Sequence, residues 1–360
     1  MRIDRRIARA ALGAAALAIV AVASAEGAEP RTPALEKLLK DAQAEKAINI
    51  VWGPTLGAAE GARGLQDGIN KAYGINITVN FTPGPSMPQM ASRVIQEVKA
   101  GRAASTDVLL GAEAALAQAI VDDALLAVPW RDYFPHIKPE MLTKRGHAVH
   151  IVTLFTGIYY NTQFIKPEEA PNSMAEVFNP KWKGRIASTP YAAGFDRLAV
   201  SHGAEKIRPI VKKTAEWAGG LIRCGEYERL ASGEFIMLFL DCGRTDDGLL
   251  REKGGPLEQK VLDDAALTTN WYFGVPKNST HPNLAVLLTG FVASPAGQAV
   301  IHRYGGTTSH YVEGTRSYKE AKELEGRGVK LLTMDPDDLL PHIEQLGKYR
   351  NEFQATLRSK

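Results

Sequence analysis

Two unusually long extended runs constrain how this chain can fold. Residues 147–161 read HAVHIVTLFTGIYYN, and residues 268–276 read TTNWYFGVP. An ordinary strand has about five or six residues, so the first run in particular is too long for one strand of one sheet. A strand that leaves one domain and enters another explains such a length. The two runs therefore predict two crossings between two structural units.

Strands alternate with helices on both sides of the first crossing. The first unit contains INIVW (48–52), INITVNF (75–81) and TDVLLG (106–111), and the second contains GRIAST (184–189) and FIMLFL (235–240). Strand–loop–helix repeats predict parallel sheets with helices on their faces. The expected fold is α/β, with two α/β sheets joined by a two-segment hinge. Ligands of such sheets bind beyond the carboxyl ends of the strands, so we expect a cleft between the two units.

The first 25 residues have the three regions of a secretory signal peptide. Four arginines precede an apolar run from Ala10 to Ala23, and Ala23-Ser24-Ala25 provides a cleavage site. The apolar run is shorter than the roughly 20 residues of a membrane span. We expect cleavage after Ala25 and a periplasmic protein. Arg5-Arg6 leaves the twin-arginine export route open beside the general secretory route.

Removal of this segment changes the charge balance. The chain has 43 basic and 40 acidic residues, and residues 1–25 hold four arginines and one aspartate, so 39 of each remain. Proteins that bind nucleic acids usually have a basic excess, and this composition predicts no nucleic-acid partner. The remaining 335 of the 360 residues are enough for two domains.

Two cysteines, Cys224 and Cys242, lie 18 positions apart. In an oxidising compartment such a pair can form a disulfide, which stabilises a loop of this size by about 3 kcal/mol. Two buried free thiols are the alternative. No second pair of ligands accompanies the cysteines, so the spacing does not indicate a zinc site.

Three stretches resemble a known family. They are GIYYNTQFIKPEEAPNSMAEVFNPKWKGRIAST, GPSMPQMASRVIQEVKAGRAASTDVLLG and FVASPAGQAVIHRYG, which occur in the family's order within residues 48–310. The first contains a segment similar to the family pattern "YNT…P…aP…dPkwkGkia". The chain thus resembles the periplasmic solute-binding proteins of ABC importers, in the branch that binds ferric ion, phosphonates, polyamines or thiamine.

The resemblance implies the two-lobed, type II periplasmic binding protein fold. Lobe 1 would comprise residues 31–155 and 271–360, and lobe 2 residues 158–268. It also implies a monomer without enzymatic activity and without a cofactor. Such a protein captures a small-molecule solute, closes on it and delivers it to an inner-membrane ABC permease.

The loops at the strand ends provide the candidate ligand-binding residues. They are Trp52, Thr55, Gly84, Ser86 and Glu113 in lobe 1, Thr189, Tyr191, Gly194, Asp241 and Arg244 in lobe 2, and Trp271 on the second crossing. Free N–H groups at helix N-termini favour anions, which suggests anion contacts at Ser86 and at residues 191–194. Arg244 can bind a carboxylate or phosphate with two N–H groups. The aromatic side chains can form walls for an organic ligand.

Structural roles are open for several of these residues. The alternative for Trp52 is packing within lobe 1, and the alternative for Asp241 is a pair with Arg244 across a turn. Glu113 begins a helix, where an acidic residue is favourable in any case. Gly84 and Gly194 fit positions that the backbone shape requires.

The favoured solute is an anionic or polar organic compound such as a phosphonate, a phosphate ester or a carboxylate. Ferric ion is the first alternative, but the loop LDCGRTDDG lacks the paired tyrosines that the resemblance would supply, and only Tyr191 remains as a phenolate ligand. His147 and His150 face opposite sides of a strand, so we expect no metal site there. A periplasmic ligand sensor is a further alternative. A secreted hydrolase is the least favoured, because no GxSxG or HExxH motif is present.

Overall fold

The computed structural model describes residues 31–192, 194–223, 226–241, 243 and 254–359. Cys224, Cys242 and Arg244 lie outside the described residues, so the disulfide and the forked cation stay predictions.

The helices are α1 (Pro33–Glu45), α2 (Ala58–Tyr73), α3 (Met87–Lys99), α4 (Glu113–Val121), α5 (Trp130–Tyr133), α6 (Met174–Val177), α7 (Phe195–His202), α8 (Ala204–Trp217), α9 (Glu228–Ala231), α10 (Pro282–Val292), α11 (Pro295–Gly305), α12 (Arg316–Gly326), α13 (Pro336–Leu339) and α14 (Ile343–Leu357). The strands are β1 (Ala47–Trp52), β2 (Thr78–Pro83), β3 (Leu109–Ala112), β4 (Ala148–Phe155), β5 (Ile158–Asn161), β6 (Ile186–Ser188), β7 (Ala218–Leu221), β8 (Met237–Phe239), β9 (Leu257–Lys260) and β10 (Thr268–Gly274).

Lobe 1 contains two groups of strands. Strands β1 and β2 pair in parallel, whereas β10 pairs antiparallel with both β3 and β4. The expected parallel ladder between β1 and β3 is interrupted. The hydroxyl of Thr106 accepts the N–H of Val51 at 3.0 Å, and the N–H of Asp107 donates to the carbonyl of Asn49. A side chain thus replaces part of the backbone ladder, so the prediction of one parallel sheet is wrong for this lobe.

Lobe 2 has one five-stranded sheet in the order β7-β6-β8-β5-β9. Strand β6 pairs in parallel with β7 and β8, and β5 pairs antiparallel with β8 and β9. Its apolar core includes Phe195 and Ile207 from the helices and Phe239 from the sheet. The sheet is therefore mixed. Its antiparallel pairs involve β5, by which the chain enters the lobe, and β9, by which it leaves.

Three chain segments run between the lobes. The first is the predicted crossing from β4 to β5, where the N–H of Thr156 donates to the carbonyl of Leu267 at 2.9 Å on the second crossing. The third segment was not predicted. Leu332 donates its N–H to Ala266 at 2.8 Å and accepts the N–H of Thr268 at 3.2 Å, so it extends the hinge by one short strand-like segment.

The C-terminal helix belongs with lobe 2. Phe353 and Leu357 of α14 are buried in the lobe 2 core, and Arg350 binds the carboxylate of Asp196 on α7 at 2.7 Å. The prediction that residues 271–360 all belong to lobe 1 is wrong for this helix. Its apolar face packs on α7 and α8 after the chain has passed the hinge for a third time.

Helix α10 forms the centre of the lobe 1 core, and nine of its 11 residues are buried. Among the described residues, no single helix is long and apolar enough to span a membrane. Helices α10 and α11 reach the required length and apolarity only together, as a pair bent by 83°. Ser294 defines the bend, because its hydroxyl caps α11 by accepting the N–H of Gly297 at 3.2 Å.

The packing of α10 gives a test of the lobe 1 core. A Cβ added at Gly290 would lie 2.2 Å from the ring of Phe134, which is fully buried. Gly290→Ala should therefore lower the free energy of unfolding by about 1–3 kcal/mol, as overpacked cores do. Gly347→Ala in α14 is the matched control, because nothing lies within 4 Å of its added Cβ. The control should raise stability by about 0.4–1 kcal/mol. Guanidinium denaturation measures both, and equal effects would contradict the packing described for α10.

Candidate functional site

Left-handed backbone conformations concentrate at the strand ends that face the other lobe. Of the six non-glycine residues with positive φ in the described chain, Leu56 and Ala58 follow β1, Ala192 follows β6 and Leu240 follows β8. Such conformations cost about 1–3 kcal/mol each and cluster at ligand sites. The three loops are therefore candidates for the ligand site. The loop after β1 also packs on α11, where Leu56 approaches Gly305.

Trp52 packs within lobe 1. Its side chain is 3% exposed and its ring stacks on Phe273 with centroids 5.5 Å apart. Yet its indole Nε1 is buried without a hydrogen-bond partner, and so is the hydroxyl oxygen of Thr55 three residues later. Buried polar atoms of this kind are rare in folded proteins. The end of β1 thus combines a structural ring with two polar atoms that are left unsatisfied.

Ser86 and Gly84 shape the loop after β2. The N–H of Gly84 donates to the carbonyl of Trp52 at 2.8 Å, and an added Cβ would lie 3.0 Å from the nitrogen of Trp52. Ser86 is exposed and forms a capping box with Gln89, whose side-chain oxygen accepts both its N–H and its O–H. Gly84 therefore has the backbone role, whereas Ser86 caps the N-terminus of α3 at the end of this loop.

Glu113 forms an ion pair with the opposite lobe. Its side chain lies 3.8 Å from a guanidinium nitrogen of Arg197 on α7, and its carboxylate accepts the N–H of Asn270. Arg197 also donates to the hydroxyl of Thr269 at 2.9 Å. Burial raises the pKa of Glu113, while Arg197 and the Asn270 N–H lower it only in part. Glu113 therefore links lobe 1, lobe 2 and the hinge strand.

The lobe 2 loop after β6 approaches the hinge closely. Gly194 has φ of 77°, and an added Cβ would lie 2.6 Å from the side chain of Leu267. Thr189 is buried, whereas Tyr191 is 42% exposed. Gly194 is thus required by backbone shape, and Tyr191 is the residue of this loop that a ligand can reach.

Two predicted residues have internal roles. Asp241 is fully buried and accepts the N–H groups of Gly157 and Gly243 at 3.3 and 2.8 Å, and its other oxygen accepts the amide of Gln259 at 2.6 Å. Trp271 is 6% exposed and packs in the lobe 1 core, on the strand β10 that pairs with β3 and β4 along its two edges. Asp241 therefore braces the hinge, and Trp271 is not an accessible ligand wall.

A cavity of about 220 Å³ lies between the lobes. It brings together Glu113, Tyr191 and Gly194 from the predicted set, and Arg197, Leu346 and Arg350, which were not predicted. Arg197 could have been found, because it lies in the first turn of a helix that the 191–194 loop begins. Leu346 and Arg350 could not, because they come from the helix that was assigned to the other lobe. No cluster of three His, Cys, Asp or Glu side chains that could hold a metal ion occurs in the part of the chain that the structure describes.

Known proteins share this sequence pattern and fold. A family model for bacterial extracellular solute-binding proteins matches residues 66–325. The Fe(3+)-binding periplasmic protein of Serratia marcescens is 26% identical over 185 residues, which are 51% of this chain and 51% of that protein. The match thus spans about half the length of this curated relative.

Solved structures show the two-lobed fold over most of the chain. Iron-bound HitA from Pseudomonas aeruginosa matches with a TM-score of 0.66 and 18% identity, covering 85% of this chain and 99% of that chain. AfuA from Actinobacillus pleuropneumoniae, with fructose-6-phosphate bound, matches with a TM-score of 0.63 and 17% identity, covering 86% and 99%. The predicted periplasmic binding protein fold is therefore confirmed.

The environment of Glu113 predicts a pH dependence. Because burial raises its pKa above the ordinary 4.5, the folded state holds this proton more tightly than the unfolded chain does. The stability that this provides is present at low pH and is lost as pH rises through the raised pKa. Glu113→Gln should remove this loss, so the variant should gain on the wild type as pH rises above the ordinary glutamate pKa of 4.5. Each tenfold difference in proton affinity corresponds to about 1.4 kcal/mol.

Denaturation curves across this pH range measure the effect. Glu36→Gln is the control, because Glu36 is exposed on α1. The stability of the Glu36→Gln variant should follow the pH profile of the wild type. A Glu113→Gln profile parallel to that of the wild type would show that the buried carboxyl is not the cause.

Proposed function

We propose, because the chain belongs to the family of bacterial extracellular solute-binding proteins, that it is the substrate-binding component of an ABC importer. In this role it captures a small solute between its lobes and delivers it to a membrane permease. The loops that carry the strained backbone, the interlobe ion pair and the cavity at Tyr191 support the cleft as the capture site. The signal peptide predicted for residues 1–25 supports a periplasmic location. A monomer is the proposed state.

The proposed solute is an anionic organic compound such as a phosphonate, a phosphate ester or a carboxylate. The observation that carries this proposal is the indole N–H of Trp52, a group that can only donate and that is buried without an acceptor. Gly84 connects this strand end by a hydrogen bond to the loop of Ser86. The N-terminus of α3 begins there without an acidic residue in its first turn. The backbone N–H groups at a helix N-terminus favour an oxyanion, and the indole N–H of Trp52 is a separate donor at the end of β1.

The acidic groups on the other side of the cleft do not oppose an anion. Glu113 has Arg197 beside it, and Asp196 at the start of α7 is bound by Arg350. Both carboxylates are thus matched by a cation within the protein. The anion would accordingly bind at the lobe 1 corner formed by the ends of β1 and β2.

Ferric ion is the second candidate, because one relative is a Fe(3+)-binding protein and one structural neighbour is iron-bound. Against it, residues 241–253 contain no tyrosine, and Tyr191 is the phenol at the described cleft cavity. AfuA, with fructose-6-phosphate bound, supports a phosphate ester as a ligand that this fold can hold. A ligand sensor would use the same cleft.

The anion proposal is tested at Ser86. Ser86→Asp keeps a good N-cap, so the stability of the free protein should be unchanged. The substitution also places a negative charge where the anion would bind. Affinity for the anion should fall at least tenfold. Ser86→Asn is the matched control, since it also caps helices but is neutral, and should bind nearly as the wild type does. Calorimetric titration measures the affinities.

A thermal-shift screen identifies the solute for this titration. Its compounds are fructose 6-phosphate, 2-aminoethylphosphonate, citrate, spermidine, thiamine and ferric nitrilotriacetate. A ligand at a hundred times its Kd stabilises the folded state by about 2.7 kcal/mol, which is a clear shift in Tm. A shift with the ferric complex alone would replace the anion proposal by iron. An anion that binds Ser86→Asp as tightly as the wild type would exclude the α3 corner.

A further inference from the structure

A second cavity, of about 500 Å³, lies on a different face from the cleft. It is bounded by α12, by the segment that contains His310 and Tyr311, and by the turn around Lys138. It shares no lining residue with the interlobe cavity. Its apolar floor includes Ala321 and Val329, which also pack against Phe155 of the first crossing. The cavity therefore lies behind the hinge.

A hydrogen-bonded chain leads from the hinge strand to this cavity. The amide of Asn270 donates to the hydroxyl of Thr268 at 3.0 Å, which leaves its oxygen facing Nε2 of His150 at 3.2 Å. Because that oxygen only accepts, His150 carries its proton on Nε2. Nδ1 of His150 then accepts the hydroxyl proton of Ser309 at 3.0 Å. His150 is thus a neutral Nε2–H tautomer.

The hydrogen-bonded chain continues through Thr153 and fixes the tautomer of His310. The single Nε2 proton of His150 is shared between the Asn270 oxygen and the hydroxyl oxygen of Thr153, which lies 3.0 Å from Nε2. The hydroxyl proton of Thr153 is then directed to Nδ1 of His310 at 2.5 Å. His310 consequently carries its proton on Nε2, the remaining polar atom of a side chain that lines the cavity. Burial lowers the pKa of His310 to about 4, so the ring is neutral at neutral pH. It is a fixed, uncharged N–H donor.

One cation of this cavity lacks an acidic partner. Lys138 lies 3.7 Å from Glu313, and Lys322 lies 2.6 Å from Glu325. Lys330 is exposed and has no ion pair among the residues that the structure describes. The cavity thus offers one unpaired ammonium and one neutral N–H donor at its polar side, and the rings of Tyr311 and Tyr318 beside an apolar floor. The exposed carboxylate of Glu140 also lines it, and with three lysines against two glutamates the lining keeps a positive excess.

We propose that this cavity is a second ligand site, which takes a small carboxylate with an apolar or aromatic body. The carboxylate binds the ammonium of Lys330 and the Nε2–H of His310. The apolar body lies on Ala321 and Val329 and contacts the ring of Tyr318. Since α12 packs on the first crossing, such a ligand binds at the back of the hinge while the cleft keeps its own solute.

Fluorine NMR with 4-fluorophenylacetate tests this site in the full mature chain. The probe should bind, and Lys330→Gln should weaken it about threefold, the effect of an exposed ion pair. Tyr318→Ala should weaken it by about tenfold through lost apolar contact. Lys319→Gln is the matched control, because Lys319 is exposed on α12 but does not line the cavity. The neutral 4-fluorophenylacetamide should bind more weakly than the carboxylate.

The protein signals locate the probe independently. The imidazole nitrogen spectrum should show His310 as the Nε2–H tautomer, and this resonance should shift on titration while that of His136 does not. Absence of binding would overturn the proposal, and so would equal losses in Lys330→Gln and Lys319→Gln. An unchanged affinity in both Lys330→Gln and Tyr318→Ala would place the probe elsewhere and would also overturn it.

Discussion

Strand β10 lies between β3 and β4, and the groups that join the two lobes are bonded to it. The N–H of Asn270 binds Glu113 of lobe 1, and the carbonyl of Thr268 binds Arg197 of lobe 2. The hydroxyl of Thr268 meets Thr333 of the third crossing, and the amide oxygen of Asn270 faces His150. Four separate elements are thus fixed by two residues of one buried strand, Thr268 and Asn270. The register of β10 against β4, with Thr268 opposite Phe155, therefore sets the positions of both the cleft and the hinge.

The sequence allowed the lobes and the first two crossings to be predicted, because long runs of β-branched and aromatic residues have a clear meaning. The third crossing was missed. Leu331–Thr333 is too short to show any periodicity, and its hydrogen bonds to Ala266 and Thr268 depend on tertiary contact. The lobe of α14 was assigned wrongly for a related reason. An apolar face at Phe353 and Leu357 indicates burial, but the pattern does not name the surface that buries it.

The sequence reasoning on the candidate site selected loops, and it did not extend to the contacts that their side chains make. Strand ends gave the positions of Ser86, Glu113 and Tyr191. The ion pair between Glu113 and Arg197 could not be predicted, because these residues are distant in sequence and meet only after both lobes have folded. Asp241 and Trp271 lie at the expected strand positions, but alternation within a strand does not reveal that both faces are covered. Their internal roles follow from the mixed topology around β10 and β5.

The proposed closure depends on how strongly the lobes hold each other without a ligand. The described contacts across the lobes include the ion pair of Glu113 with Arg197 and the hydrogen bonds of Arg197 to Thr268 and Thr269. They also include a small apolar cluster of Leu339 and Leu346 with Ala117. Water can take the place of the polar partners in these contacts when the lobes separate. Exposing one leucine costs about 1.5–3 kcal/mol. A ligand at a hundred times its Kd contributes about 2.7 kcal/mol to the state that it binds. The two quantities are similar, so occupancy of the cleft is sufficient to shift the balance between the open and closed forms.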